Sequence, residues 1–207
     1  RRNGGENIGY LHVPSMGLPG LQEFGKHYYP NLDKDAMVVD VRFNGGGNID
    51  AMLLMQLSHR PYSWFKPRFG ASWTRQDWGF SGHMAALCNE NSGSDAEEFS
   101  DAFQRLKLGP VIGVRTWGGE VGSGDGYRLL DGGLVSIPNY GEWVPSGQWV
   151  IEGAGVDPDM VVEDDPEVLG IAVAFLRSFG YTPHAATDAA QGWGTLVAHP
   201  EIVLIFS

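Results

Sequence analysis

The chain has almost no cysteine: a single residue, Cys88, in 207. No intrachain disulfide framework is possible, and a reducing, cytoplasmic setting is the expectation. Positive charge is scarce too, with 14 Lys and Arg against 25 Asp and Glu and a net charge of −11. That balance argues against a nucleic-acid or anionic-membrane surface. No run is long and apolar enough to span a bilayer, and no signal peptide opens the sequence. The start, "RRNGGENIGY", has no methionine, so the chain is expected to be a piece of a longer one, with residues 1–7 as the end of a linker. What is present is ordinary for a globular protein, 43% apolar and 19% charged, on a length that suffices for one large domain. Its 30 glycines are scattered without a repeat, which suggests tight turns between strands.

Along the chain, strands and helices alternate. "IGYLHVP" (8–14) reads as a strand, and "GLPGLQEFGKHYY" (17–29) as a helix with Leu21, Phe24 and Tyr28 on one face. "AMVVDVRF" (36–43) is a β-branched run of the kind buried on both faces of a sheet. "NGGG" breaks it, and a helix follows over 48–59 with Met52, Leu53 and Met55 inward. "HMAALCNE" (83–90) is the next strand, with Cys88 as a core thiol. The helix at 94–109 carries acids in its first turn and basic residues in its last, as the helix dipole favours. Strands at 110–116 and 147–153, a hairpin over 127–138 through Asp131, Gly132 and Gly133, and an amphipathic helix at 166–179 complete the reading. Strand–turn–helix units with short loops imply an α/β layered domain with a largely parallel sheet and flanking helices.

In such sheets ligands bind beyond the carboxyl ends of the strands. "NGGG" and "NSGSD" both stand there, each at a helix entry. A glycine run leaves N–H groups uncovered, and a helix N-terminus adds partial positive charge; both suit an oxyanion. Ser94 is then a candidate nucleophile. The sequence admits the plainer alternatives equally: Ser94 with Glu97 forms a capping box, and "NGGG" makes a sharp turn that needs positive φ.

The stretches "IGYLHVPSMG", "VVDVRFNGGG", "NENSGSDAEEF", "VRTWGG" and "GVDPD" together resemble, in order and spacing, the catalytic subdomain of the tricorn protease family, serine peptidases related to the carboxyl-terminal processing proteases. The resemblance spans roughly residues 8–177 and sets the unit 8–179 apart from the tail 180–207, which matches nothing in it. It implies a crotonase- or ClpP-like fold, hydrolysis of peptides, no metal or cofactor, and a homo-oligomer in the complete protein. Carried over by position, Ser94 matches the nucleophile, Gly47 and Asp95 the oxyanion-hole residues, and Glu152 the glutamate of the charge relay. Gly46 and Phe65 match substrate-binding positions.

Three departures follow from the same register. Processing proteases place a lysine base where this chain has Gly119 in "TWGGE", which argues against a Ser–Lys dyad. The family's histidine base lies upstream, and His12, His27, His59, His83, His184 and His199 match no base position. The 207 residues alone are therefore expected to be nearly inactive. Phe65 stands where an aspartate favours basic P1 side chains, so an apolar preference is expected. Two other functions share this fold: a binding module for an apolar ligand or peptide, suited to the aromatic stretch 62–80, and hydratase-type acyl-CoA chemistry. "GSGDGY" (122–127) lacks the strand–GxxxxGK–helix context of a phosphate loop.

Overall fold

The computed structural model describes residues 7–124 and 126–162. The expected helix at 166–179, the tail at 180–207, His184, His199 and nearly all of the 1–7 lead-in lie outside the described residues. In chain order the elements are β1 (Ile8–His12), α1 (Leu18–Tyr28), β2 (Ala36–Asp40), α2 (Asp50–Ser58), β3 (Ser63–Phe65), β4 (Trp73–Arg75), β5 (His83–Cys88), α3 (Asp95–Arg105), β6 (Val111–Gly113), β7 (Gly122–Ser123), β8 (Tyr127–Arg128), β9 (Leu134–Val135), β10 (Pro138–Tyr140) and β11 (Met160–Val161).

Five strands form one sheet in the order β1-β2-β5-β6-β11, and every pairing in it is parallel. Parallel neighbours require crossovers; α1, α2 and α3 lie in the first three, and the connection from β6 to β11 runs through the short strands β7–β10. Register sets Leu11 opposite Val39 and Val39 opposite Ala86. These three side chains are fully buried and share one core with Phe24 and Tyr28 of α1, Leu53 and Leu57 of α2, and Phe99 and Phe103 of α3. Burying each large apolar side chain contributes about 1.5–3 kcal/mol, so this cluster holds the sheet ends where they are. On the opposite face Tyr10, Val38 and Ala85 are only half-buried. There Asp40 accepts the Tyr10 hydroxyl at 2.7 Å and pairs with the Arg42 guanidinium at 2.7 Å.

The structure departs from the sequence reading at three places. In α2 the buried residues are Leu53, Leu54 and Leu57, whereas Met52 and Met55 face solvent. Leu53, Leu54 and Leu57 stand at i, i+1 and i+4, one face of a helix. The stretch 147–153 adds no strand to the sheet: Trp149 makes an isolated antiparallel bridge to Trp143, and the chain then turns, the Ala154 and Gly155 N–H groups both returning to the Ile151 carbonyl at 2.8 and 2.7 Å. The strand that completes the sheet edge is instead β11, pairing Met160 with Ile112. The aromatic stretch 62–80 forms the β3–β4 hairpin, on which Trp64, Phe65 and Trp73 are exposed. The predicted hairpin over 127–138 is present as β8 paired with β9.

Candidate active site

Two loops meet beyond the carboxyl ends of β2 and β5. In the first, Asn44 is fully buried. Its amide donates to the Val13 carbonyl at 2.8 Å, and its side-chain oxygen accepts the Gly46 N–H at 3.0 Å. In the second, Ser92 is fully buried, donates its hydroxyl to the Val41 carbonyl at 2.8 Å and accepts the Asn89 N–H at 3.0 Å. The loops are tied directly by Gly93 N–H to the Asn44 carbonyl, 2.9 Å, and by Phe43 N–H to Asn89 Oδ1, 3.0 Å. Buried polar groups require such partners, so this mesh fixes the two turns against each other.

Ser94 sits at the head of α3, half-buried, with φ 52° and ψ −127°. A non-glycine residue held there carries roughly 1–3 kcal/mol of strain and persists only where its surroundings over-determine it. The carboxylate half of the capping box read from the sequence forms, without a bond to the Ser94 hydroxyl. It is a 3.0 Å bond from the Ser94 N–H to Glu97 Oε2, while the Glu97 N–H reaches the Ser94 carbonyl at 2.6 Å. Capping thus accounts for the helix start and leaves the strained turn unexplained.

The glycine run lies directly against this turn. A Cβ on Gly46, whose φ is 104°, would sit 2.6 Å from Ser94 Cβ and 3.2 Å from the Asp95 nitrogen. Gly47 is wedged against Met16, where a Cβ would come within 1.8 Å of the Met16 carbonyl oxygen. Met16 N–H bonds to the Gly46 carbonyl at 3.0 Å and Asn48 N–H to the Met16 carbonyl at 2.7 Å. Among the described residues, neither the Gly47 N–H nor the Asp95 N–H donates to a protein acceptor. Gly46, Gly47, Ser94 and Asp95 are therefore brought together.

Three carboxylates organise the surroundings. Asp95 is buried, and its Oδ2 accepts the Ile49 N–H at 2.7 Å and the Asp50 N–H at 3.1 Å, capping α2 from the neighbouring helix. Glu97, with no exposed surface, accepts from the Thr116 hydroxyl and the Gly118 N–H, each at 2.6 Å, and from the Gly119 N–H at 3.0 Å. Glu152, exposed, accepts the Glu120 and Val121 N–H groups at 2.9 and 2.7 Å. Those bonds, that of Val121 first, hold its carboxyl below the usual range. The sequence marked Glu97 only as half of a capping box and did not single out Asn44, Asn89, Ser92 or Thr116. Polar residues closely following buried runs were the available signal.

Asp50, Asp95 and Glu98 bring one carboxylate oxygen each within 4.8 Å of one another. Burial first, then Asp95, pushes Asp50 up to about 7. Burial first, then Glu120, pushes Glu98 up to about 8. Burial and the neighbouring acids thus both favour the protonated forms of Asp50 and Glu98. Phe65 stands apart from the serine turn in its contacts: its ring stacks on Trp73 at 5.3 Å and lies 5.4 Å from the Arg75 guanidinium carbon. Among the described residues no hydrogen bond joins a histidine to Ser94.

Residues 7–162 match the model of Peptidase family S41. The chain belongs to that family. A tricorn protease of Thermoplasma volcanium is 40% identical over 173 residues, covering 84% of this chain and 17% of the relative. The tricorn protease of Thermoplasma acidophilum is 38% identical over 159 residues, 77% of this chain and 15% of the relative. The crystal structure of the tricorn protease superposes with a TM-score of 0.71 at 34% identity, over 83% of this chain and 18% of that one. The photosystem II D1 C-terminal processing protease shares the fold, with a TM-score of 0.58 at 21% identity over 75% of this chain and 42% of that one. The chain thus spans less than a fifth of the length of its tricorn relatives. Among the described residues, no helix is long and apolar enough to cross a membrane.

Proposed function

We propose that this S41 chain is the nucleophile-bearing part of a serine peptidase of tricorn type. The observation that carries the reading is the strained Ser94 turn, φ 52°, packed against Gly46 with the Gly47 and Asp95 N–H groups uncommitted. Ser94 Oγ attacks the scissile carbonyl carbon and passes its proton to a base. The tetrahedral oxyanion takes hydrogen bonds from Gly47 and Asp95, an interaction stronger in the transition state than in the ground state. Collapse returns the proton to the leaving amine and leaves an acyl-serine, which water hydrolyses by the same route. The base is a histidine supplied by another part of the complete protein, oriented through Glu152. Gly46 and Phe65 contact the substrate, with an apolar P1 side chain preferred. The setting is cytoplasmic and the complete protein a homo-oligomer.

The test has two arms. In the complete protein, Ser94→Ala should abolish peptide hydrolysis and labelling by a fluorophosphonate. The 207-residue chain alone should hydrolyse peptides very slowly, because loss of a triad member leaves only what the oxyanion hole and binding supply. Full hydrolysis by Ser94→Ala would overturn the reading. Absence of both hydrolysis and Ser94 labelling in the complete wild-type protein would favour a non-catalytic binding module, to which the exposed aromatic side chains of the β3–β4 hairpin are suited.

A further inference from the structure

We propose that Glu97 is a positioning residue that locks the Ser94 turn and the Glu152 carboxylate into one arrangement; this rests on the peptidase reading above. Four donors converge on its two oxygens. Oε1 takes the Thr116 hydroxyl and the Gly118 N–H, both at 2.6 Å; Oε2 takes the Ser94 and Gly119 N–H groups, both at 3.0 Å. Only an acceptor-only group satisfies that set. The side chain is fully buried, and the described residues give it no ion-pair partner. A buried carboxylate is costly unless hydrogen-bonded in this way, and helix capping alone would need only the Ser94 bond.

The geometry continues beyond Glu97. Gly118 and Gly119 give their N–H groups to Glu97, and the next two residues, Glu120 and Val121, give theirs to Glu152 at 2.9 and 2.7 Å. Four successive N–H groups are thus divided between two carboxylates. The Gly153 N–H returns to the Gly118 carbonyl at 2.9 Å, so the residue after Glu152 is held by the same loop. Two more bonds brace the loop from the other side: Trp117 N–H to the Ser92 carbonyl, 3.0 Å, and Val156 N–H to the Thr116 hydroxyl oxygen, 2.8 Å. Glu97 is the group in this chain of contacts that touches both the Ser94 backbone and the loop. Glutamine in its place keeps one acceptor oxygen and sets an NH2 against the other two donors, so the set that joins the Ser94 N–H to the loop is broken. The nucleophile and Glu152 then lose their common reference, without loss of any surface that would bind a peptide.

The experiment compares Glu97→Gln, Thr116→Val and Ser94→Ala in the complete protein, with peptide kinetics, fluorophosphonate labelling of Ser94 and thermal unfolding. Glu97→Gln presents an amide donor to a set of donors and should lower kcat by about 100-fold, the scale of a misplaced reacting group. KM should stay within about twofold, and the labelling rate should fall with kcat. Thr116→Val deletes one of the four bonds to Glu97 together with the brace from the Val156 N–H, and should lower kcat by about tenfold with the same split. If Glu97→Gln fails to fold, Thr116→Val decides by that split. A folded Glu97→Gln with unchanged kcat and labelling overturns the inference while a dead Ser94→Ala leaves the peptidase reading standing. So does a rise in KM at unchanged kcat. An active Ser94→Ala overturns both.

Discussion

The Asp95 carboxylate receives the Ile49 N–H at 2.7 Å, so the residue next to Ser94 caps the helix that follows the glycine run. One side chain therefore couples the two turns that form the site, and its loss should be felt in stability as well as in chemistry. Asp95→Ala leaves the Ile49 and Asp50 N–H groups without their cap and should cost about 2 kcal/mol. Asp95→Asn retains an acceptor and should cost less than half as much. Urea unfolding of both variants measures this. Wild-type stability for Asp95→Ala would mean that the α2 terminus finds another partner.

Gly46 and Gly45 stand side by side and make opposite demands. A Cβ on Gly46 would lie 2.6 Å from Ser94 Cβ and 3.0 Å from the Gly93 oxygen, at φ 104°. A Cβ on Gly45 meets nothing within 4 Å. Gly46→Ala should therefore displace the Ser94 turn and, on the proposed peptidase reading, reduce kcat/KM in the complete protein about 100-fold, comparable with loss of an oxyanion-hole donor. Gly45→Ala should leave activity within about twofold. Equal effects from the two substitutions would show that the close packing against Ser94 is not what the glycine run is for.

The acidic group behind the site makes stability depend on pH in a particular direction. Burial, and then Asp95, raises Asp50 to about 7; burial, and then Glu120, raises Glu98 to about 8. Both pKa values lie above those of the unfolded chain, so the folded state binds more protons through this window. Their contribution to stability is complete below about pH 4 and is lost as pH rises through about 7 to 8. The double variant Asp50→Asn, Glu98→Gln should gain melting temperature relative to the parent as pH rises from 5 to 8. A constant difference between the two across that range would refute the assignment.

The β-branched run at 36–43 and the apolar run at 83–90, each followed by polar and glycine residues, made the parallel sheet and the location of the site legible. Local chemistry decides such runs. The mesh beyond them was not legible, because it depends on groups far apart in sequence: Asn44 meets Gly93, and Glu97 meets Thr116, Gly118 and Gly119. The inward face of α2 was misread for a different reason: the helix is apolar at Met52, Leu53, Leu54, Met55 and Leu57, so more than one face fits a helical spacing. At 147–153 the apolar "WVI" pattern mimicked a strand, but Ile151 adopts φ 69° and accepts two turn bonds. β11, two residues long, is too short to leave any periodicity at all.

Phe65 carries the specificity expectation, and its surroundings change how that expectation must be tested. The β3–β4 register places Phe65 opposite Trp73 and Ser63 opposite Arg75, so Arg75 is a diagonal neighbour of Phe65. Its guanidinium carbon stands 5.4 Å from the ring centroid. In Phe65→Asp the new carboxylate would find Arg75 before it found any substrate. An exposed pair of this kind is worth about 0.2–1 kcal/mol, enough to hold the acid away from a basic P1 side chain part of the time. Phe65→Asp alone should therefore shift the P1 profile of the complete protein toward Lys and Arg only weakly. Phe65→Asp combined with Arg75→Gln should shift it strongly, because the acid then acquires a partner only from the substrate. Profiling both variants on a peptide set that differs only at P1 gives the answer. An unchanged profile in the double variant would place the P1 pocket elsewhere, and a full shift in the single variant would mean that Arg75 turns away from the hairpin when substrate binds.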